Sequence, residues 1–315
     1  MMRRIIALFI VLAAVSVSRG QELNLPLSNQ YLADNPYVIS SAFAGIGDCW
    51  QVRLNGLTQW VGIKDSPNTQ SLSIDGRIKD NSGVGLIIFN DQNGYTSQKG
   101  VQASFAHHLT IDEYNDHYLS FGISYKFTQF GVNTSEFDPT IFDAGLRGDL
   151  SLGNSNFEIS TLWRYKGLFV SLNAVNLVAK DLDEFGANEP SDIRNYYAYA
   201  GYVFKPKYLK WEFEPSVFYQ KFDGDTRATT DINFKARKMN REDYYWAGIS
   251  LRSINDQGFK PNWLSPMFGL KKGLFYAAYS YQINVNEIQP YNAGSHMITI
   301  GFDFGCAPST CSCTW

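Results

Sequence analysis

Between Gly273 and Phe304 the chain alternates apolar and polar residues with a period of two. Phe275, Ala277, Tyr279, Tyr281 and Ile283 share one face of the first limb, with Tyr276, Ala278, Ser280 and Gln282 on the other. In the second limb His296, Ile298, Ile300, Phe302 and Phe304 oppose Met297, Thr299, Gly301 and Asp303. A period of two over roughly nine residues predicts a strand, not a helix. Soluble strands average about five to six residues. Strands of about 9–11 residues, apolar outside and polar or small inside, are what a tilted strand needs to cross a bilayer.

The same alternation recurs through the chain. It predicts about 14 strands, at 49–63, 69–78, 84–90, 100–109, 117–127, 156–165, 168–178, 193–204, 210–220, 227–236, 243–252, 266–271, 273–283 and 296–304, an even number as in bacterial barrels. The segment 128–155 has room for a further short strand in its AGLRGDLSLG run. The expected fold is all-β, a closed antiparallel transmembrane β-barrel. Short connections at 79–83, 110–116, 166–167, 205–209 and 237–242 and a tight turn at Lys272 fall on one rim. Long ones at 128–155, 179–192, 253–265 and 284–295 fall on the other, with shorter ones at 64–68 and 221–226 among them. Short periplasmic turns opposite long outer loops are the outer-membrane pattern, which a soluble sandwich has no reason to reproduce.

Before the strands stand two other segments. Residues 1–20 hold Arg3 and Arg4, then the apolar run IIALFIVLAAVSV, then Ser18-Arg19-Gly20, which reads as a cleaved signal peptide. Residues 21–48 contain Pro26, Pro36, Gly45 and Gly47 without sustained alternation. They are expected to form an arm lying at or inside the barrel mouth. The barrel is expected over 49–305, and a cysteine-containing tail over 306–315. Aromatic residues make up 15% of the chain, enough to furnish interfacial girdles. Loss of Arg3, Arg4 and Arg19 with the leader takes the formal net charge from −3 to about −6, so nothing in the composition attracts nucleic acid.

Alternation also assigns charges to the interior. Lys126 shares a face with Tyr118, Ser120, Gly122 and Ser124, and is expected to point into the lumen or sit near a rim, because a lysine on the lipid face is costly. Asp75, Arg77, Arg53, Asp231 and Arg252 are candidates for an internal ion-pair network, or for scattered rim charges.

Catalytic chemistry is sparse. His107 and His117, near Ser104 and Ser120, are the nearest approach to a nucleophilic constellation, of the kind a membrane phospholipase barrel would use. No G-x-S-x-G, H-E-x-x-H or P-loop occurs. Cys306, Cys311 and Cys313 lack zinc-ligand spacing, and Asp91, Asn93 and Gly94 lack the remaining ligands of a calcium loop. The expectation is a non-enzymatic protein without metal or cofactor. Cys49 opens the first strand and Cys306 follows the last. In a closed barrel both reach one rim beside the seam, so a Cys49–Cys306 disulfide is a candidate in an oxidising compartment. Cys306–Cys311, Cys311–Cys313 and four free thiols remain alternatives.

QYLADNPYVISSAFAG (Gln30 to Gly45) resembles the opening motif of the PorP/SprF family, and AYSYQINVNEIQPYNAGSHMITIGFDF (Ala278 to Phe304) resembles its closing segment. VGLIIFNDQNG, LSFGISYKF, LFVSLNAVNL and YAGYVF match in kind and order between them, so the resemblance spans about residues 28–304. Ser40-Ser41-Ala42-Phe43 stands where the family often has N-P-A-Y, and Gln282 where it often has an acid. The resemblance implies an outer-membrane component of the type IX secretion system of Bacteroidetes, linked to gliding motility and to export or anchoring of adhesins. Its implied partners are outer-membrane lipid, the C-terminal sorting domain of a secreted adhesin, and periplasmic ring or peptidoglycan-associated subunits. A porin-like small-solute channel is the alternative.

Overall fold

The computed structural model describes residues 24–133, 150–178, 193–224 and 226–306. Fourteen strands close into one antiparallel barrel, each paired with its neighbours in sequence and the last with the first. They are β1 (Trp50–Thr58), β2 (Asn68–Lys79), β3 (Ser82–Asn93), β4 (Thr96–Asp112), β5 (His117–Val132), β6 (Leu150–Tyr165) and β7 (Leu168–Val175). Around the other half run β8 (Asn195–Tyr202), β9 (Trp211–Phe222), β10 (Ala228–Asn240), β11 (Asp243–Ile254), β12 (Lys260–Lys272), β13 (Phe275–Asn284) and β14 (Ser295–Phe304). The seam is fully laddered, from Trp50↔Phe304 to Thr58↔His296, so no edge is left to pair elsewhere.

Each strand is sorted by its pleat. In β5 Phe121, Ile123, Tyr125 and Phe127 face outward and are exposed, while Ser120, Ser124, Lys126 and Thr128 are buried. In β14 Ile298, Ile300, Phe302 and Phe304 face out, and Met297, Thr299 and Asp303 are buried. The apolar face of a soluble protein would be inside. Here it is outside, which suits hydrocarbon, and closure satisfies the backbone that lipid cannot.

Several boundaries differ from expectation. β1 ends at Thr58, five residues before position 63, because Trp60 adopts φ 47° and a turn follows, with Ile63 N–H donating to the Trp60 carbonyl. β12 covers Lys260–Lys272, well beyond 266–271. Pro261 and Pro266 obscured it; Pro266 has no N–H, and pairing with β13 skips from Leu264↔Ile283 to Met267↔Ser280 without a change of register. β5 runs on to Val132 and β6 starts at Leu150, so the strand in AGLRGDLSLG is an extension of β6. The connections on the first rim are 80–81, 113–116, 166–167, 203–210, 241–242 and 273–274. Those on the second include a tight β3–β4 turn at 94–95 and a short β11–β12 link at 255–259, so the contrast between rims is weaker than expected.

The N-terminal arm is not at the mouth alone. From Asn24 to Ile46 it lies almost wholly buried within the barrel, and it contributes Tyr31, Tyr37, Val38, Ile39, Phe43 and Ile46 to the main hydrophobic cluster. Three short 3-10 turns shape it: Gln30–Leu32, Pro36–Val38 and Ser41–Phe43.

Candidate functional site: an internal plug

Residues facing the lumen are small or polar, and the arm meets them one by one. Asn29 Nδ2 donates to Ser265 Oγ and Ser280 Oγ, each at 2.8 Å. Asn35 donates to Ser73 at 2.9 Å and the Tyr37 hydroxyl to Ser104 at 2.8 Å. The Ala42 N–H donates to Ser160 Oγ at 2.8 Å, and Ser171 Oγ donates to Ser40 Oγ at 2.9 Å. The fit is close enough that side chains are excluded beneath it. A Cβ added at Gly122 would come within 2.6 Å of the Ser41 carbonyl carbon, and one added at Gly45, itself at φ 72°, within 2.8 Å of the Gly76 and Gly83 backbone.

Charge gathers at the end of the lumen nearer the first rim. Asp34 accepts from Lys235 at 2.5 Å, Arg237 at 2.7 Å and the Tyr244 hydroxyl at 2.9 Å. Lys235 also donates to the Leu32 carbonyl, and Arg237 to Glu212. Burial pushes the Asp34 carboxyl up, but Lys235 and Arg237 outweigh it and hold the group well below the usual carboxylate range. Gly45 N–H donates to Asp75, and Arg77 donates to the carbonyls of Gly45 and Ile46. Toward the opposite rim Arg252 grips Asp231 at 2.6 and 2.7 Å and donates to the carbonyls of Leu27 and Ser28, while Tyr31 donates to the same aspartate. A cavity of about 420 Å³ separates the arm from the wall at the first-rim end, bordered by Asp34, Asp48, Arg53, Glu214, Arg237 and Lys271.

The five expected network charges therefore divide. Arg53 pairs with Asp303 at 2.7 Å, which Lys271 also holds at 2.6 Å. Asp231 pairs with Arg252, and Asp75 and Arg77 turn to the arm's backbone. The interior was patterned for a partner that the alternation itself did not reveal. Lys126 does point into the lumen, where it is 2% exposed and donates to Asn24 of the arm.

The histidine and serine constellation weighed from the sequence is not assembled. His107 faces outward beside Ser82, and His117 accepts from the Trp163 indole at 2.9 Å. The structure instead joins His108 to Ser120 at 2.8 Å, with its Nε2 3.0 Å from the Ala44 carbonyl. A carbonyl only accepts, so Nε2 carries the proton and Nδ1 accepts from Ser120. Strand parity could have found this pair, since His108 shares the inner face with Ser104 and Gln102. Both residues are buried under the arm, and the pair fastens the arm rather than presenting a nucleophile. Asp91 accepts from Thr69, and among the described residues no three His, Cys, Asp or Glu side chains converge as a metal site.

The arm leaves the lumen at Gly47 and Asp48 and joins β1 through Cys49, which is bonded to Cys306 with the Cα atoms 3.9 Å apart. Trp50 stacks on Phe304 beside the bond. Cys311 and Cys313 lie outside the described residues, as do the leader residues 1–20.

The family model described as type IX secretion system membrane protein PorP/SprF matches residues 20–302. The chain belongs to the PorP/SprF family. No curated protein matches it. Among solved structures it is similar to the Acinetobacter baumannii outer membrane protein Omp33, at TM-score 0.45 and 9% identity over 82% of this chain and 100% of that one. It is also similar to BamA from Haemophilus ducreyi lacking POTRA domains 1-3, at TM-score 0.42 and 9% identity over 80% and 70%. Salmonella typhi OmpF in complex with daunomycin is a further match, at TM-score 0.35 and 9% identity over 81% and 97%. This PorP/SprF chain is thus an outer-membrane β-barrel of a secretion system.

Proposed function

We propose that this PorP/SprF barrel is a plugged, non-enzymatic docking platform. It anchors or passes on a secreted surface adhesin through that protein's C-terminal sorting domain, in the service of export or gliding motility. The rim bearing the disulfide faces the periplasm and meets ring or peptidoglycan-associated subunits of the secretion system. The observation that supports this reading is the arm itself. It bonds to β2, β4, β6, β7, β10, β12 and β13, and so spans the lumen a porin would leave for solute.

Two measurements test it. In planar bilayers the full chain is expected to conduct little, and a chain lacking 24–47 to conduct strongly if it inserts. Equal, high conductance from the full chain would restore the small-solute channel. In cells, deletion of the barrel should abolish surface display of its adhesin while the adhesin is still synthesised. Undiminished display would remove the docking role.

A further inference from the structure

On the disulfide-bearing rim four neighbouring turns are tied side to side. The Val203 N–H donates to the Gly167 carbonyl at 2.8 Å, joining the β6–β7 turn to the β8–β9 turn. The Met239 N–H donates to the Lys210 carbonyl at 2.7 Å, joining that turn to the end of β10. The Gly273 N–H donates to Asp243 at 2.7 Å, joining the β12–β13 turn to the start of β11. The result is one continuous arc.

The arc is basic. Lys166, Lys207, Lys210, Lys238, Arg241 and Lys272 are all exposed along it. Its acids are mostly engaged: Glu212 holds Arg237 and Lys205, and Asp243 accepts the Gly273 N–H, which leaves Glu242 exposed. The β4–β5 turn of the same rim carries Asp112, Glu113 and Asp116, so the rim has two poles.

At the centre of the arc the β8–β9 turn, Lys205-Pro206-Lys207-Tyr208-Leu209-Lys210, runs past its aromatic base. Phe204 and Phe213 are bridged there by reciprocal backbone bonds of 2.8 and 3.0 Å, and Trp211 stacks near Phe213. Beyond that base Tyr208 is 92% exposed and Leu209 59%. Lysines near a membrane surface have an ordinary use as headgroup anchors. A tyrosine and a leucine held out past the aromatic layer do not, because they would stand in water. An exposed Tyr is the residue type that interface centres favour, and the lysines around it fit the polar rim of such a centre.

We propose that this arc is the docking surface for a protein in the adjoining aqueous compartment, one that offers an acidic face with an apolar recess for Tyr208 and Leu209. The assignment of that compartment as the periplasm rests on the docking reading above. The arc's charge sets encounter and register, and the two apolar side chains supply the buried contact.

The test uses the full chain. A photo-cross-linking amino acid is placed at Tyr208 in cells, with Tyr291 on the opposite rim as control. The adduct is identified by mass spectrometry, purified, and titrated against the barrel in nanodiscs of zwitterionic lipid. The expected result is an acidic protein captured at position 208 and not at 291. Its affinity should fall about tenfold or more in Tyr208→Ala and in Lys207→Glu/Lys210→Glu, and weaken between about 50 and 300 mM salt. Lys207→Arg/Lys210→Arg should keep it. Heat-modifiable migration on gels shows that each variant is folded. The proposal is overturned by absence of a protein adduct at 208, by an affinity indifferent to the variants, or by variants that change only binding to phosphatidylglycerol vesicles. An acidic partner foreign to the secretion system would leave the surface standing and remove the docking reading it was attached to.

Discussion

The middle of the plug and its end near the disulfide are held by different chemistry. In the middle, Asn29, Asn35, Tyr37 and Ser40 meet Ser265, Ser280, Ser73, Ser104 and Ser171 through neutral hydrogen bonds. At the end, one carboxylate, Asp34, gathers a lysine, an arginine and a tyrosine. Neutral bonds between small groups are short in reach and worth about 1 kcal/mol each, so many are needed and each is dispensable. A buried charge cluster works the other way. It adds little net stability over an apolar equivalent, but loss of one member strands the others. The middle gives the arm its fit, and the charged end fixes its register.

That contrast sets the order of expected effects. Asp34→Ala leaves Lys235 and Arg237 without their shared anion. It should destabilise the plugged state by about 3–5 kcal/mol and raise single-channel conductance more than any neutral lumen substitution. A conductance equal to wild type would mean that the charged end does not govern retention.

Cys49→Ser removes the bond between the arm's exit and the last strand. A loss of about 2–4 kcal/mol in guanidinium unfolding is expected, with the barrel still closed by the β1–β14 ladder. Non-reducing peptide mapping of the parent should recover Cys49 linked to Cys306. Recovery of Cys49 alkylated without reduction would break this part of the picture.

Gly122→Ala places a methyl against the Ser41–Ala42 backbone and should cost about 1–3 kcal/mol by displacing the middle of the arm. Ser265→Ala, which leaves Ser280 to hold Asn29, should cost about 1 kcal/mol, read as a shift in the unfolding midpoint at constant slope. If the last two were reversed in size, hydrogen bonding rather than fit would dominate the middle.

The pH response separates the two regions further. The Asp34 carboxyl sits below its ordinary value in the folded state, so its contribution is complete above about pH 4 and is lost as the pH falls through the depressed value. The share of plug retention that Asp34 supplies, followed by conductance, should hold from neutral pH down to about pH 4 and be lost in stronger acid. Asp34→Asn should remove that strongly acidic step.

The barrel was legible because a period of two survives wherever one face meets hydrocarbon. Leu119, Phe121, Ile123, Tyr125 and Phe127 announce β5 without help from any neighbour. Strand ends were less legible where proline thins the pattern, as at Pro266, or where alternation continues past the membrane, as at Leu150–Ser155. The plug resisted for another reason. Its residues follow no fixed period, since each takes whatever conformation brings it to a partner distant in the chain, from 38 positions for Asn35 with Ser73 to 251 for Asn29 with Ser280. The histidines show both outcomes. Parity would have placed His108 inside and His107 outside, but nothing local shows that the Ala44 carbonyl completes the His108 site.

The arm precedes every strand in the chain, yet its partners run from β2 to β13. Asn29 and Ser280 are 251 positions apart. Such contacts pay loop-closure entropy before they return anything, and folds built on them form slowly. The arm's last partners, Ser265 on β12 and Ser280 on β13, are laid down only when nearly all the wall exists. Winding the sheet around a core already in place and sealing β14 to β1 last reaches the observed arrangement without threading. The disulfide at the seam joins residues from the two ends of that process, and its formation would mark the moment of closure.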